Sequence, residues 1–459
     1  MMPLWTSDEI AQATGGRASA RFDVAGVAFD SREIGPGDMF VALKGEHADG
    51  HDFIDKAFAA GAAGAIVSAA IDYPHVMVRD SMAALEDLAR AARRRVRARI
   101  IGVTGSVGKT GTKEALFQAL DRFRPGKVHR SVKSYNNHVG VPLSLARMPR
   151  DTVFAVFEMG MNHAGELAAL TRLVRPDVAM ITAIAPAHIE YFGSEAAIAQ
   201  AKSEIFEGLE PNGVAIIPFD SPHIALLQGR AERLGCRILT FGLTKGADVR
   251  ALESVPVAEG GTLVTAKLPA AELCFTIAPS GEHWVSNALA VLAAVEAVSG
   301  DLAMAGLALA EMAGLPGRGA RAILPVAGGE ALLIDESYNA NPSSMTATLR
   351  QLGRERADRR VAVLGAMKEL GTRSAELHAG LLQPMVAGKV DYAILVGEEM
   401  APLADALAGE IASTLVADAG AATSLLETHM RAGDAILVKG SNSVGLSRLV
   451  AAMTGGDKT

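Results

Sequence analysis

Residues 99–110, Arg-Ile-Ile-Gly-Val-Thr-Gly-Ser-Val-Gly-Lys-Thr, join an apolar run to a glycine turn, a lysine and a hydroxyl. The pattern predicts a strand, a phosphate-binding loop and a helix over 111–120. Gly105 and Gly108 allow a tight turn around an anion. The N–H groups of Thr104, Gly105, Ser106, Val107 and Gly108 can then point at phosphate oxygens. Lys109 can neutralise β- and γ-phosphate charge, and the Thr110 hydroxyl can bind Mg2+. The spacing is G-x-x-G-K-T; the first glycine of the longer G-x-x-x-x-G-K-T pattern falls on Val103. This is the chemistry of an ATP-using protein, the alternative being a glycine turn with a surface lysine.

Further polar residues fall where apolar runs end, and open parallel sheets bind ligands at the carboxyl ends of their strands. Glu158 ends the run that starts at 153. It can hold Mg2+, or serve as the amino-terminal carboxylate of a helix starting near 164. His188 follows the next run, as a metal ligand or as a structural hydrogen bonder. Asn136 and Asn137 form a polar turn that can bind a ligand or cap the following helix. Lys202 lies with Glu204 in a helix whose other face is apolar, which reads as a solvated lysine. Asp335 ends a later strand and can accept ribose hydroxyls, with Tyr338 offering a ring face to a base. Asn341 and Pro342 start the next helix. Lys439 ends the last strand, before a Gly440-Ser441 turn.

These residues need a scaffold, and 459 residues exceed what one core organises, so two or three domains are expected. Hydrophobic residues make up 49%, much of it alanine, and aromatics only 5%, which suits helix-rich α/β layers packed on small side chains. A net charge of −7 argues against a general nucleic-acid or membrane-surface binder. Cys236 and Cys274 lack C-x-x-C spacing and read as buried free thiols. The first residues turn acidic without a basic-then-apolar leader, and the most apolar stretch, 57–71, is broken by glycines and Ser68. A cytoplasmic enzyme without membrane insertion is expected.

Residues 1–81 read as a small α/β unit, with strands at 24–29, 39–43, 65–68 and 75–78 and a helix at 53–60. Residues 82–313 open with a helix at 82–95 and then alternate strand and helix, the signature of a mostly parallel sheet. Near-continuous apolar strands fall at 153–159, 178–184 and 214–218, and helices at 164–172 and 196–209. An antiparallel insert is expected over 247–277, and a closing helix at 284–300. Gly314-Leu-Pro-Gly-Arg-Gly319 is the linker candidate. Residues 314–459 form a second doubly wound sheet, with strands at 331–335, 361–364, 392–396 and 435–438.

The series formed by the 105–110 loop, Glu158, His188, Lys202, Asn287, Arg318 and Asp335 resembles the ATP site of the Mur ligases. These are the ATP-dependent amide ligases that build the peptide of the bacterial cell-wall precursor. The resemblance runs over essentially the whole chain. Asp30-Ser-Arg32, Gly37-Asp-Met-Phe-Val-Ala-Leu-Lys-Gly45, Asp49-Gly-His-Asp-Phe53, Asn136-Asn-His-Val-Gly-Val-Pro142 and Asp335-Glu-Ser-Tyr-Asn-Ala-Asn-Pro342 carry it. They are similar to the branch whose substrates are UDP-N-acetylmuramoyl-tripeptide and D-alanyl-D-alanine.

The resemblance implies three domains: a UDP-sugar-peptide-binding unit, a central ATP-binding unit and a Rossmann-like carboxyl-terminal unit. It implies ATP and two Mg2+ ions, with Thr110, Glu158, His188 and a carbamylated Lys202 as metal ligands. Lys109 and Arg318 would contact phosphates, Asn287 adenine and Asp335 ribose, with Asn137 and Asn339 bordering the nucleotide. Ser31, Arg32, Lys44 and Gly45 would hold the uridine and sugar end, and Lys439 the other substrate. The reaction implied passes through an acyl phosphate in a monomeric enzyme. Three positions depart from the family pattern: Trp284 and Asn442 replace a common Asn and Arg, and Ala366 a frequent Asp.

Overall fold

The computed structural model describes residues 2–45, 48–186, 189–257, 261–278, 281–312 and 314–455. A nine-stranded sheet forms its centre. From one edge, the strand order is Val128–Arg130, Phe154–Glu158, Arg99–Thr104, Val178–Ile181, Val214–Pro218, Arg237–Gly242, Val249–Pro256, Thr262–Lys267 and Glu272–Ile277. The first seven run parallel; Thr262–Lys267 pairs antiparallel with both its neighbours, so Glu272–Ile277 returns to the shared direction. The texture change over 247–277 is real, but these strands extend the central sheet instead of forming a separate insert.

Strands covered on both faces must be apolar on both. Ile101 and Val103 pack under helices Lys109–Phe123 and Glu282–Ala297, while Ile100, Ala155 and Phe157 pack under Glu166–Val174. Arg99–Thr104 lies between Phe154–Glu158 and Val178–Ile181, so three strand ends open on one rim. That rim receives the phosphate loop. One more helix, Leu302–Ala310, follows the helix expected to close this unit, capped where the Asp301 carboxylate accepts from the Met304 N–H. Its sequence is apolar all round and so shows no helical period.

The first unit has a five-stranded sheet in the order Arg17–Ala18, His75–Met77, Gly64–Val67, Asp38–Val41, Gly26–Ala28. Helix Ser81–Arg95 gives Ala84, Leu85, Leu88 and Ala92 to this unit's core and Ala89 to the central one. The expected division at 82 thus falls at the start of a helix that both units share.

The last unit is a six-stranded sheet, Ala320–Val326, Gly329–Glu336, Asp434–Lys439, Arg359–Gly365, Tyr392–Val396, Ala412–Val416, parallel except for the first hairpin. Apolar clusters on its two faces pack against helices such as Pro342–Leu352 and Ala419–His429, so it is doubly wound. The α/β architecture of three units expected from the sequence is the one observed. Both cysteines are free, but neither is fully buried as expected: Cys236 is partly buried, and Cys274 is exposed because it faces outward on the edge strand Glu272–Ile277. Among the described residues no helix is long and apolar enough to cross a membrane.

Candidate active site

The loop after Arg99–Thr104 is built on its glycines. Gly105 has φ +153°, and a Cβ there would lie 1.9 Å from Thr182 Oγ1, which itself donates to the Val107 carbonyl at 2.6 Å. Gly108 has φ +85° and precedes helix Lys109–Phe123; a Cβ there would lie 2.9 Å from Asn287 Oδ1. Ser106 ties the loop to the next strand end, its hydroxyl donating to the Ala185 carbonyl and accepting from the Ala185 N–H. A Gly105→Ala chain must displace Thr182 and strain the backbone, a cost of about 1–3 kcal/mol. We expect its Mg-ATP affinity, read by titration calorimetry, to fall about tenfold or more; unchanged affinity would contradict this loop assignment.

Oxygen donors gather beside the loop. The Thr110 hydroxyl donates to Glu158 Oε2 at 2.8 Å, and the Asn136 amide donates to Glu158 Oε1 at 2.8 Å. Glu158 is 1% exposed. Lys113, fully buried, places its ammonium 4.0 Å from Glu158 Oε2 and donates to the carbonyls of Ser131 and Lys133. Lys109 curls back to donate to the Gly105 carbonyl at 2.7 Å; burial lowers its pKa, opposed by Glu158.

Lys202 ends helix Glu195–Lys202 and is 1% exposed, so it is not the solvated lysine that the helix pattern suggested. It lies one helical turn from Ile198 and shares that residue's buried face. Burial, and next the charge of Lys109, hold its amine well below the ordinary lysine pKa, and no carboxylate among the described residues offsets this. Among the described residues no three His, Cys, Asp or Glu side chains cluster as a metal site. The Thr110 hydroxyl and the buried Glu158 carboxylate fit a hard cation that takes further oxygens from phosphates. His188 lies outside the described residues.

The facing wall comes from the last unit. Arg318 stacks over Tyr338, 4.0 Å from the ring centroid. Lys439 donates to the Asn339 carbonyl at 2.9 Å and sits 3.5 Å from Glu336 Oε2. Burial pushes the Lys439 amine down and the Glu336 carboxyl up. A cavity of about 550 Å³ runs between the walls, its lining including Lys109, Glu158, Lys202, Asn287, Tyr338 and Thr348.

Several sequence assignments shift. Asp335 does not line the cavity: one oxygen accepts from the Gly317 N–H and the other from the Ser337 N–H and hydroxyl. It fixes the turn that carries Arg318, and Glu336, one residue on and pointing to the other side of the strand, is the carboxylate that faces the cavity. Asn137 caps helix Gly140–Ala146, accepting from the Val139 and Gly140 N–H groups, while Asn136 takes the place at Glu158. Lys439 lines the same cavity as Lys109 and Arg318.

Ser31, Arg32, Lys44 and Gly45 lie outside this cavity, beyond the carboxyl ends of the adjacent parallel strands Gly26–Ala28 and Asp38–Val41. Asp30 holds the exposed Arg32 guanidinium, and the Gly45 N–H donates to the Ala48 carbonyl. His283 was missed by sequence reasoning. It lines the cavity one helical turn before Asn287, a spacing that could have flagged it, and burial lowers its pKa to about 4. Trp284 covers Gly111, where a Cβ would lie 3.2 Å from its ring.

Three family profiles match the chain: Mur ligase family, catalytic domain, over 23–100; Mur ligase middle domain, over 103–295; and Mur ligase, glutamate ligase domain, over 325–442. The UDP-N-acetylmuramoyl-tripeptide--D-alanyl-D-alanine ligase of Escherichia coli (strain K12) is 36% identical over 434 residues, 93% of each chain. Its counterpart in Bacillus subtilis (strain 168) is 34% identical over 438 residues, 93% of this chain and 92% of the relative. Among solved structures, MurF from Acinetobacter baumannii gives a TM-score of 0.85 at 31% identity, covering 98% of this chain and 99% of that one. MurF ligase from Thermotoga maritima, solved in complex with ADP, gives 0.77 at 28% identity, covering 94% and 97%. Matched by profiles and relatives along nearly its whole length, the chain belongs to the Mur ligase family.

Proposed function

We propose that the cleft between the central and last units is where ATP activates a carboxylate for amide formation. The chain is an ATP-dependent ligase of peptidoglycan precursor synthesis that joins D-alanyl-D-alanine to UDP-N-acetylmuramoyl-tripeptide. The observation that carries the assignment of the site is the Lys109 loop facing Arg318 across one cavity.

Lys109 and the loop amides hold the β- and γ-phosphates, and Asn287 and Glu336 contact the adenosine end. The tripeptide carboxylate attacks the γ-phosphorus, ADP leaves, and an acyl phosphate forms. The dipeptide amine then attacks the acyl carbon, and phosphate departs through a tetrahedral intermediate. Lys109 and Arg318 offset the charge that builds on the transferring oxygens. Bound Mg2+, held by Thr110, Glu158 and a carbamylated Lys202, would supply further charge neutralisation at the phosphates. Three reactants must meet in order, so positioning contributes heavily. Water would hydrolyse the acyl phosphate, and closure at the Gly317 turn, whose φ is +72°, would exclude it. Ser31, Arg32, Lys44 and Gly45 receive the UDP portion at the rim of the first sheet. Use of ATP and a nucleotide-linked substrate suits an enzyme of the cytoplasm.

Incubation with ATP, Mg2+, the UDP-linked tripeptide and D-alanyl-D-alanine should give the UDP-linked pentapeptide by mass spectrometry. Extension by single amino acids with equal efficiency would refute the substrate assignment.

A further inference from the structure

The segment 131–137, between strand Val128–Arg130 and helix Gly140–Ala146, faces two sites by alternation. Ser134 and Asn136 line the nucleotide cavity. Lys133 and Tyr135 point the other way, to the first unit: both the Tyr135 hydroxyl, at 2.6 Å, and the Lys133 ammonium donate to Glu33 Oε1. Arg147 approaches the other Glu33 oxygen at 3.8 Å, and the Tyr135 ring tilts against Phe29 at 5.7 Å. Glu33 ends the short helical turn Ser31–Glu33, the turn that also carries Ser31 and Arg32.

The cavity side of the segment is held just as closely. Lys113 donates to the carbonyls of Ser131 and Lys133, and the Glu158 N–H donates to Ser131 Oγ. The Gly160 N–H donates to the Asn136 carbonyl at 2.7 Å, while the Asn136 amide fixes Glu158 Oε1. An unbroken run of hydrogen bonds and chain therefore leads from the Ser31–Glu33 turn, through Tyr135 and Asn136, to the carboxylate beside the phosphate loop.

We propose that Glu33 and Tyr135 are positioning residues that couple occupancy of the UDP-substrate rim to Mg-nucleotide affinity, acting through Asn136 on Glu158. The coupling rests on the assignment of Ser31 and Arg32 to the UDP portion. A ligand seated on the 31–33 turn favours the arrangement already present, with Glu33 held by Tyr135 and Lys133. That keeps Asn136 on Oε1 and leaves Oε2 aimed at Thr110. Linkage makes the effect reciprocal, and couplings of this kind lie around 5–150-fold.

The test is the Mg-ADP dissociation constant, measured by titration calorimetry with and without saturating UDP-N-acetylmuramoyl-tripeptide and with no dipeptide present. In the unmodified enzyme the tripeptide should tighten Mg-ADP about fivefold or more. In Tyr135→Phe and Glu33→Gln the ratio should fall below about twofold, with a raised Mg2+ half-saturation in turnover, while the tripeptide still binds. Tyr135→Phe removes one hydroxyl, and Lys133→Met, on the exposed side, serves if either variant loses its thermal transition. A ratio near one in the unmodified enzyme, or an undiminished ratio in folded variants, would overturn the coupling alone. Failure of the unmodified enzyme to bind the UDP-tripeptide would overturn the substrate assignment and the coupling with it.

Discussion

Lys202→Ala is expected to lower kcat roughly a thousandfold, with added acetate restoring part of the loss. Burial and the neighbouring Lys109 charge favour the neutral amine, the form that adds CO2. In the proposed carbamylation the nitrogen would bond to the carbon of CO2 and lose a proton, giving an anionic carbamate with two oxygens. Those oxygens suit a hard cation beside Glu158 and Thr110, where an ammonium would repel it. Lys202→Arg keeps a long basic side chain but cannot form the carbamate, so it should be as inactive as the alanine variant. Stripping CO2 from the buffer should lower activity and bicarbonate should return it. As pH falls through the depressed pKa the amine protonates and the carbamate is lost, so activity should drop on the acid side. Full activity in CO2-free buffer together with an active Lys202→Arg enzyme would contradict this role.

Arg318→Ala should lower kcat by roughly 10²–10³, with a smaller change in the KM for the UDP-tripeptide. Arg318 reaches the cavity from a turn fixed by Asp335 and keeps its planar group on Tyr338. A lysine has neither the fork nor the flat face, so Arg318→Lys should recover little. Steady-state kinetics separate this from a binding role: a raised KM for ATP at unchanged kcat would show that Arg318 holds the ground state only.

The phosphate loop was legible in the sequence because its logic is local. A strand, two glycines, a lysine and a hydroxyl fix the turn whatever surrounds them, and Glu158 followed as a carboxylate at a strand end. Phase was harder to read. Strand Gly329–Glu336 is buried on both faces near its end and lacks a period-2 pattern, so the sequence could not say which of Asp335 and Glu336 faces the cleft. The choice between Asn136 and Asn137 depends on a turn set by Lys113 and Glu33, residues distant in sequence. Lys202 was misread from its charge, although its spacing from Ile198 marks a buried face.

Edge strands were the other loss. Ala320–Val326 contains Pro325, which cannot donate to a ladder and is tolerated here because the strand lies at the sheet edge. Ala412–Val416, at the opposite edge, is half exposed and carries only a weak apolar signal.

Phosphate release from ATP, followed continuously with each substrate withheld in turn, tests the central claim most directly. Steady release should require both UDP-N-acetylmuramoyl-tripeptide and D-alanyl-D-alanine, with one phosphate per amide bond formed. Sustained release without the dipeptide, or equal release with D-alanine in its place, would contradict the account.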